Sequence, residues 1–235
     1  AEHRNNFDIP VIGITGSNGK TIVKEWLFQL MNHNKNIVRS PKSYNSQIGV
    51  PLSVWQMNES HELAIFEAGI SELEEMQKLQ PIIKPTIGIF TNIGQAHDEN
   101  FINHTQKTIK KLNLFTKVET LIYSTDHKEI HGAVIRSGIL NKINTFCWGK
   151  DDTCDLWIWE IKIQDKTTTI SANFLAEPIH ITIPFVDDAS IENAIHCWAT
   201  MLLLGYENEE INRRMQLLAP IAMRLELKEG INNCT

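Results

Sequence analysis

Ile9-Pro10-Val11-Ile12-Gly13-Ile14-Thr15-Gly16-Ser17-Asn18-Gly19-Lys20-Thr21 is the stretch that decides the fold. An apolar run feeds a glycine-rich turn, and the turn opens a helix. Backbone N–H groups at the helix start then face an anion while the lysine ammonium balances its charge. The stretch reads as a phosphate-binding loop. The general pattern G-x-x-x-x-G-K-[ST] would set its first glycine at position 14, which is Ile14 here. The loop is instead the shorter T-G-x-N-G-K-T form. Gly16 and Gly19 leave room for close backbone approach to a polyphosphate, and Ser17 and Asn18 lie in the same turn. Lys20 is positioned for the beta and gamma phosphates of ATP, and the Thr21 hydroxyl for Mg2+.

Outward from the loop, short apolar runs alternate with amphipathic stretches of helical length as far as about residue 140. That rhythm predicts an α/β fold, a mostly parallel sheet flanked by helices. Strands are expected at Val11 to Thr15, Asn36 to Arg39, Leu63 to Glu67, Thr86 to Thr91 and Thr120 to Ser124. Helices are expected near Lys20 to Met31, Ile48 to Met57, Glu72 to Leu79, Thr105 to Thr116 and His127 to Ser137. Pro81 and Pro85 are read as flanking a turn. After Trp148-Gly149, three runs of partial period-two alternation predict a small antiparallel β annex: Leu156 to Gln164, Thr167 to Phe174 and Ile179 to Phe185. Asp188-Ala189-Ser190 is read as the cap of a helix through Leu204, and Glu207 to Leu217 as a further helix.

With 42% hydrophobic residues in 235, the chain can bury one large core or two small ones. A formal net charge of -6 gives no electrostatic reason to expect nucleic acid as a partner. No segment is long and apolar enough to insert in a membrane, and the first residues lack a signal-peptide layout, so a cytoplasmic protein is expected. Cys147, Cys154, Cys197 and Cys234 show no C-x-x-C spacing and read as reduced thiols.

Two more segments end apolar strands with chemistry-bearing residues. Glu67 closes Leu63-Ala64-Ile65-Phe66, where a carboxylate can serve Mg2+. His97 closes Thr91-Asn92-Ile93-Gly94-Gln95-Ala96 after the strand Ile87-Gly88-Ile89-Phe90. In a parallel sheet all these strand ends share the edge at which ligands collect. His127 and His131 have i, i+4 spacing on a helix but no evident third metal ligand. Trp26, Trp55, Trp157, Trp159 and Trp198 are assigned to core packing.

Thr15 to Thr21, Asn45-Ser46-Gln47-Ile48-Gly49-Val50-Pro51, Phe66-Glu67-Ala68-Gly69 and Thr91 to His97 together resemble the ATP loop, N-N-x-I-G-V-P segment, acidic metal site and histidine motif of the Mur ligases. The resemblance covers nearly the whole chain. It implies that Thr21 and Glu67 bind one Mg2+ with His97 near a second, that Asn193 in Ser190-Ile191-Glu192-Asn193-Ala194 touches the nucleotide, and that Arg224 approaches ATP. It also implies a carbamylated lysine four residues before a phenylalanine. Lys111-Leu112-Asn113-Leu114-Phe115 keeps that spacing, with Asn113 where the family usually has glutamate, and Lys110 is a rival position. Lys20, Lys111 and His97 are the implied catalytic residues.

Within the family the chain resembles the branch that adds D-alanyl-D-alanine to UDP-N-acetylmuramoyl-tripeptide. His3-Arg4, Phe7, Val23-Lys24-Glu25 and Ser40-Pro41-Lys42-Ser43-Tyr44-Asn45 resemble its form fused to an alanine racemase domain. The resemblance implies a central ATPase domain over residues 1–230. Its parallel core spans about 9–140 and 186–225, with an annex at about 143–185, and residues 231–235 start a linker to a C-terminal domain. A domain for the UDP portion of the substrate would precede Ala1. Rival readings are a folylpolyglutamate synthase-like ligase, an ATP-binding module without ligase activity, and a P-loop phosphotransferase.

Overall fold

The structure, a computed structural model, describes residues 1–70, 74–94 and 104–221, with only the backbone at position 104. Nine strands form a single sheet in the order β2-β3-β1-β4-β5-β6-β7-β8-β9. They are β1 Val11–Thr15, β2 Ile37–Arg39, β3 Leu63–Glu67, β4 Ile87–Phe90, β5 Thr120–Ser124, β6 Asn144–Gly149, β7 Leu156–Gln164, β8 Thr167–Phe174 and β9 Glu177–Ile183. Neighbours from β2 to β7 pair in parallel, and β7-β8-β9 are antiparallel. β1 and β3 are buried along their whole length, as continuous apolar runs covered on both faces must be.

The helices are α1 Lys20–Met31, α2 Gly49–Val54, α3 Glu75–Ile83, α4 His104–Leu112, α5 Lys128–Arg136, α6 Asp188–Leu203 and α7 Asn208–Met215. One core face joins the sheet to α1 and α6 through Trp26, Leu27, Ile195 and Trp198. The other joins it to α2, α3 and α5 through Val50, Leu79, Ile130 and Val134. Among the described residues no helix is long and apolar enough to cross a membrane.

Several local expectations change. β6 has no counterpart in the sequence pattern, and it extends the parallel region by one strand before direction reverses. The antiparallel strands continue the same sheet: Ile158, Ile170, Ala172, Ile181 and Ile183 join the core under α1 and α6, and Phe185 stacks on Trp26 at 4.9 Å. Pro81 lies inside α3, which runs on to Ile83 and is closed by Lys84 in the left-handed region (φ 44). Proline here costs one backbone hydrogen bond close to the helix end, and only Pro85 lies beyond the helix. The helix expected at Thr105 to Thr116 is α4 followed by a 3-10 turn at Asn113–Phe115. Trp26 and Trp198 are fully buried, but Trp55 and Trp159 are 72% and 51% exposed and are not core residues.

α6 starts one residue earlier than expected because Asp187, not Asp188, is its N-cap: the Asp187 carboxylate accepts from the Ser190 N–H at 2.8 Å. Replacing Asp187 by Ala should lower stability by about 1 kcal/mol in urea denaturation. Asp187→Asn, which keeps the acceptor, should restore most of the loss.

Candidate functional site

β1 ends at Thr15, whose hydroxyl donates to Ala68 O at 2.8 Å, and α1 begins five residues later. The intervening turn uses positive φ at Gly16 (151) and Gly19 (80). A side chain at either would be strained and would also collide: a Cβ on Gly16 would overlap the Thr91 hydroxyl, and one on Gly19 would overlap Asn193 Oδ1. The end of β4 clamps the turn from the other side. Ser17 N–H donates to Asn92 O at 2.9 Å and Asn18 N–H to Asn92 Oδ1 at 2.9 Å. The Thr91 hydroxyl donates to Asn18 O at 2.6 Å, and Gly94 N–H to Ser17 Oγ at 2.9 Å. Loop, β4 end and the first turns of α6 therefore meet at one edge of the sheet.

At the end of β3 the Glu67 carboxylate is fully buried. Thr21 donates its hydroxyl to Oε2 at 3.0 Å, and Lys24 reaches Oε1 at 3.1 Å. Thr21 and Lys24 are three apart on α1, so they stand on one face and divide the two oxygens between them. Lys24 Nζ also donates to Ser40 O at 2.8 Å and to Lys42 O, and lies 3.2 Å from Glu25. Glu25 is in turn held by Arg39 at 3.0 Å. A hard oxygen pair, one carboxylate and one hydroxyl at a strand end beside a phosphate loop, fits Mg2+.

Three lysine side chains gather on carbonyl oxygens of the loop and of the segment after β4. Lys20 donates to Gly16 O at 2.9 Å and Ser17 O at 3.1 Å, Lys111 to Gly16 O at 2.9 Å, and Lys107 to Gly94 O at 2.6 Å. Lys107 and Lys111 are buried one helical turn apart on α4, whereas Lys110 is half-buried, so the fold favours Lys111 over its rival. Burial, followed by the charges of Lys20 and Lys107, pushes the Lys111 ammonium well below the usual lysine range.

On the α6 side, Glu192 accepts from His127 at 3.0 Å and from the Asn92 amide at 3.3 Å. The hydrogen bond to Glu192 raises the His127 pKa. His131 turns away to the Tyr123 hydroxyl at 3.2 Å, so the histidine pair does not converge. The described residues hold no group of three or more His, Cys, Asp or Glu suited to a metal. A pocket of ≈ 250 Å³ opens beside His127 and Glu192, walled by Trp148, Ile161 and Ile191.

The structure thus brings together Gly16, Ser17, Asn18, Gly19, Lys20, Thr21, Glu67, Lys111 and Asn193. His97, Arg224 and Cys234 lie outside the described residues. Sequence reasoning assigned no role to Lys24 or Lys107. The signals were present: a lysine at the inward i+3 position from Thr21 in an otherwise apolar helix, and a second lysine at i-4 from Lys111.

Residues 14–201 match the family model described as the Mur ligase middle domain. The chain belongs to the Mur ligase family. The UDP-N-acetylmuramoyl-tripeptide--D-alanyl-D-alanine ligase of Borreliella burgdorferi is 29% identical over 213 residues, 85% of this chain and 42% of the relative. That of Bacillus subtilis is 27% identical over 222 residues, 92% of this chain and 46% of the relative. Among solved structures, MurF from Acinetobacter baumannii aligns with a TM-score of 0.85 at 21% identity, covering 98% of this chain and 51% of that one. MurF ligase from Thermotoga maritima, in complex with ADP, aligns with a TM-score of 0.81 at 21% identity over 97% and 53%. The chain spans about half the length of the curated relatives it matches.

In this Mur ligase domain the depressed Lys111 pKa carries a pH signature. Between the lowered folded value and the ordinary value of about 10.4, the unfolded chain binds the extra proton, so stability rises with pH across that window. Lys111→Met should flatten that rise. Urea denaturation of both proteins at neutral pH and near about pH 9 measures the difference.

Proposed function

We propose that this chain is the ATP-binding central domain of a peptidoglycan-precursor amide ligase, spanning residues 1–230 with 231–235 opening a linker. The observation that carries the reading is the placement of Lys20, Lys107 and Lys111 around Gly16 and Gly94, with the Thr21–Glu67 oxygen pair at the start of the helix that the loop opens. Lysine side chains gathered on the loop carbonyls suit a triphosphate, and the oxygen pair suits its Mg2+. The pocket beside His127 and Glu192 is linked to the loop through the Asn92–Glu192 hydrogen bond and would receive the base of that nucleotide.

In the whole protein the reaction would join D-alanyl-D-alanine to UDP-N-acetylmuramoyl-tripeptide, the substrates in the names of the relatives. The tripeptide carboxylate attacks the γ-phosphorus of ATP, ADP leaves, and the amine of D-alanyl-D-alanine displaces phosphate from the acyl phosphate to form the amide. Lys20 and Lys107 offset charge on the transferring phosphoryl group, and the clamped loop holds it in line. Mg2+ held by Thr21 and Glu67, with His97 near a second ion, would add Lewis-acid charge to the phosphates. Asn193 and Arg224 would hold the nucleotide. ATP as co-substrate fits a cytoplasmic protein, and the His3-Arg4, Val23-Lys24-Glu25 and Ser40 to Asn45 motifs support a parent fused to an alanine racemase.

Lys111 is the residue assigned to carbamylation. A buried amine that sheds its proton is the form that adds CO2, giving a carbamate and releasing a proton, and the product is an anion beside Lys20 and Lys107. Isotope-labelled bicarbonate should give one carbamate resonance by NMR in the parent chain. Lys111→Met should lack it, and a resonance that persists would reassign the modification.

Calorimetric titration with MgATP tests the central reading. The chain alone should bind the nucleotide weakly, Lys20→Ala should reduce affinity by at least about tenfold, and neither should form amide without the flanking domains. Amide formation by this chain alone would refute the division of labour, and unchanged affinity in Lys20→Ala would refute the loop assignment.

A further inference from the structure

Lys24 is completely buried, and the reaction outlined above gives it no task. Its surroundings leave it little freedom. Ser40 O, Lys42 O, Glu67 Oε1 and Glu25 Oε1 all lie within reach of the one ammonium group, which has three protons to give. Glu25 is fixed from its far side by Arg39, whose guanidinium sits 3.4 Å over the Phe28 ring. The Glu67 N–H is tied back to the Ser40 hydroxyl at 3.3 Å. The ammonium is therefore a fixed cation on Oε1, and only Oε2, beside Thr21, is left to face the loop.

We propose that Lys24 is a positioning residue that restricts Glu67 to one metal-facing oxygen and thereby makes the site select Mg2+ over Ca2+. Mg2+ takes single carboxylate oxygens in a tight octahedron at short distance. Ca2+ has a larger shell and gains from carboxylates that bind through both oxygens. A carboxylate with Oε1 held by an ammonium cannot offer the second oxygen, so it gives Ca2+ no added contact. The same ammonium ties the metal-facing carboxylate to the Ser40–Lys42 backbone, so the 40–42 turn and Glu67 hold one another in place.

The inference rests on the Mg2+–nucleotide reading of the loop, and the experiment separates the two. Affinity for a non-hydrolysable ATP analogue is measured by calorimetry in Mg2+, in Ca2+ and in chelator, for the parent chain, Lys24→Met, Lys24→Gln and Lys24→Arg. The parent should bind more tightly in Mg2+ than in Ca2+, and more tightly in either than in chelator. In Lys24→Met the Mg2+-to-Ca2+ affinity ratio should fall by roughly tenfold or more, because Ca2+ gains an oxygen that Mg2+ does not use. Lys24→Arg should keep the parent ratio. Lys24→Gln, which retains a donor but no charge, should fall between and serves if Lys24→Met does not fold.

An unchanged ratio in a folded Lys24→Met or Lys24→Gln protein overturns the proposal and leaves Lys24 a purely structural ion, whatever its effect on melting temperature. Metal-independent binding by the parent overturns the Mg2+ reading itself, and the selectivity role falls with it.

Discussion

A carboxylate taken out of water has to be met by donors, or the fold loses several kcal/mol. Glu67 is fully buried at the end of β3, and its donors come from one face of α1, Thr21 to Oε2 and Lys24 to Oε1. This requirement fixes the rotation of α1 about its axis, because a turn of one residue would carry both donors off the carboxylate. Lys20, the residue before Thr21, is thereby aimed at the loop, and the loop glycines must accept whatever backbone path joins β1 to a helix so oriented. The positive φ values at Gly16 and Gly19 are that path. The buried ion pair thus sets the register of the strand–loop–helix unit as well as the chemistry at its edge.

The lysines gathered on the loop carbonyls repel one another. Lys20, Lys107 and Lys111 approach Gly16 and Gly94 together, and the charges of Lys20 and Lys107 add to burial in lowering the preference of Lys111 for a proton. Backbone carbonyls meet part of the cost, and the covalent frame of α4 and α1 holds the rest. A site so arranged is complementary to a polyanion before one arrives, at the expense of local stability.

The sequence was legible where one periodicity ruled a whole element. β1, β3 and β5 are apolar runs with clear ends and fall where their pattern puts them. β6 mixes Asn144, Thr145 and Cys147 with Phe146 and Trp148, so its strand character comes from pairing with β5 and not from its own residues. Pro81 was misread because a proline late in a helix costs little, and Asp187 because two aspartates stand side by side and only the turn's φ and ψ choose between them. Trp55 and Trp159 kept the spacing of core residues but face outward, since periodicity says which residues share a face and not whether that face is covered. Within the site, the loop and Glu67 carried their own signals. Lys24 did not, because its role depends on the distance between two elements far apart in sequence.

His196 shows how the core keeps the loop in place. The Trp148 indole donates to its Nδ1 at 3.2 Å, so that nitrogen carries no proton, and Nε2–H donates to Thr91 O at 3.1 Å. Complete burial lowers its pKa to about 4, so the ring is neutral at physiological pH. A charged ring would set an N–H against the indole N–H and break the tie from β6 to the end of β4. Thr91 is the same residue whose hydroxyl holds Asn18, so the glycine loop is anchored through a neutral histidine to a tryptophan two strands away. The clamp is thereby insulated from proton binding in the pH range where the neighbouring His127, raised by Glu192, gains its charge more readily.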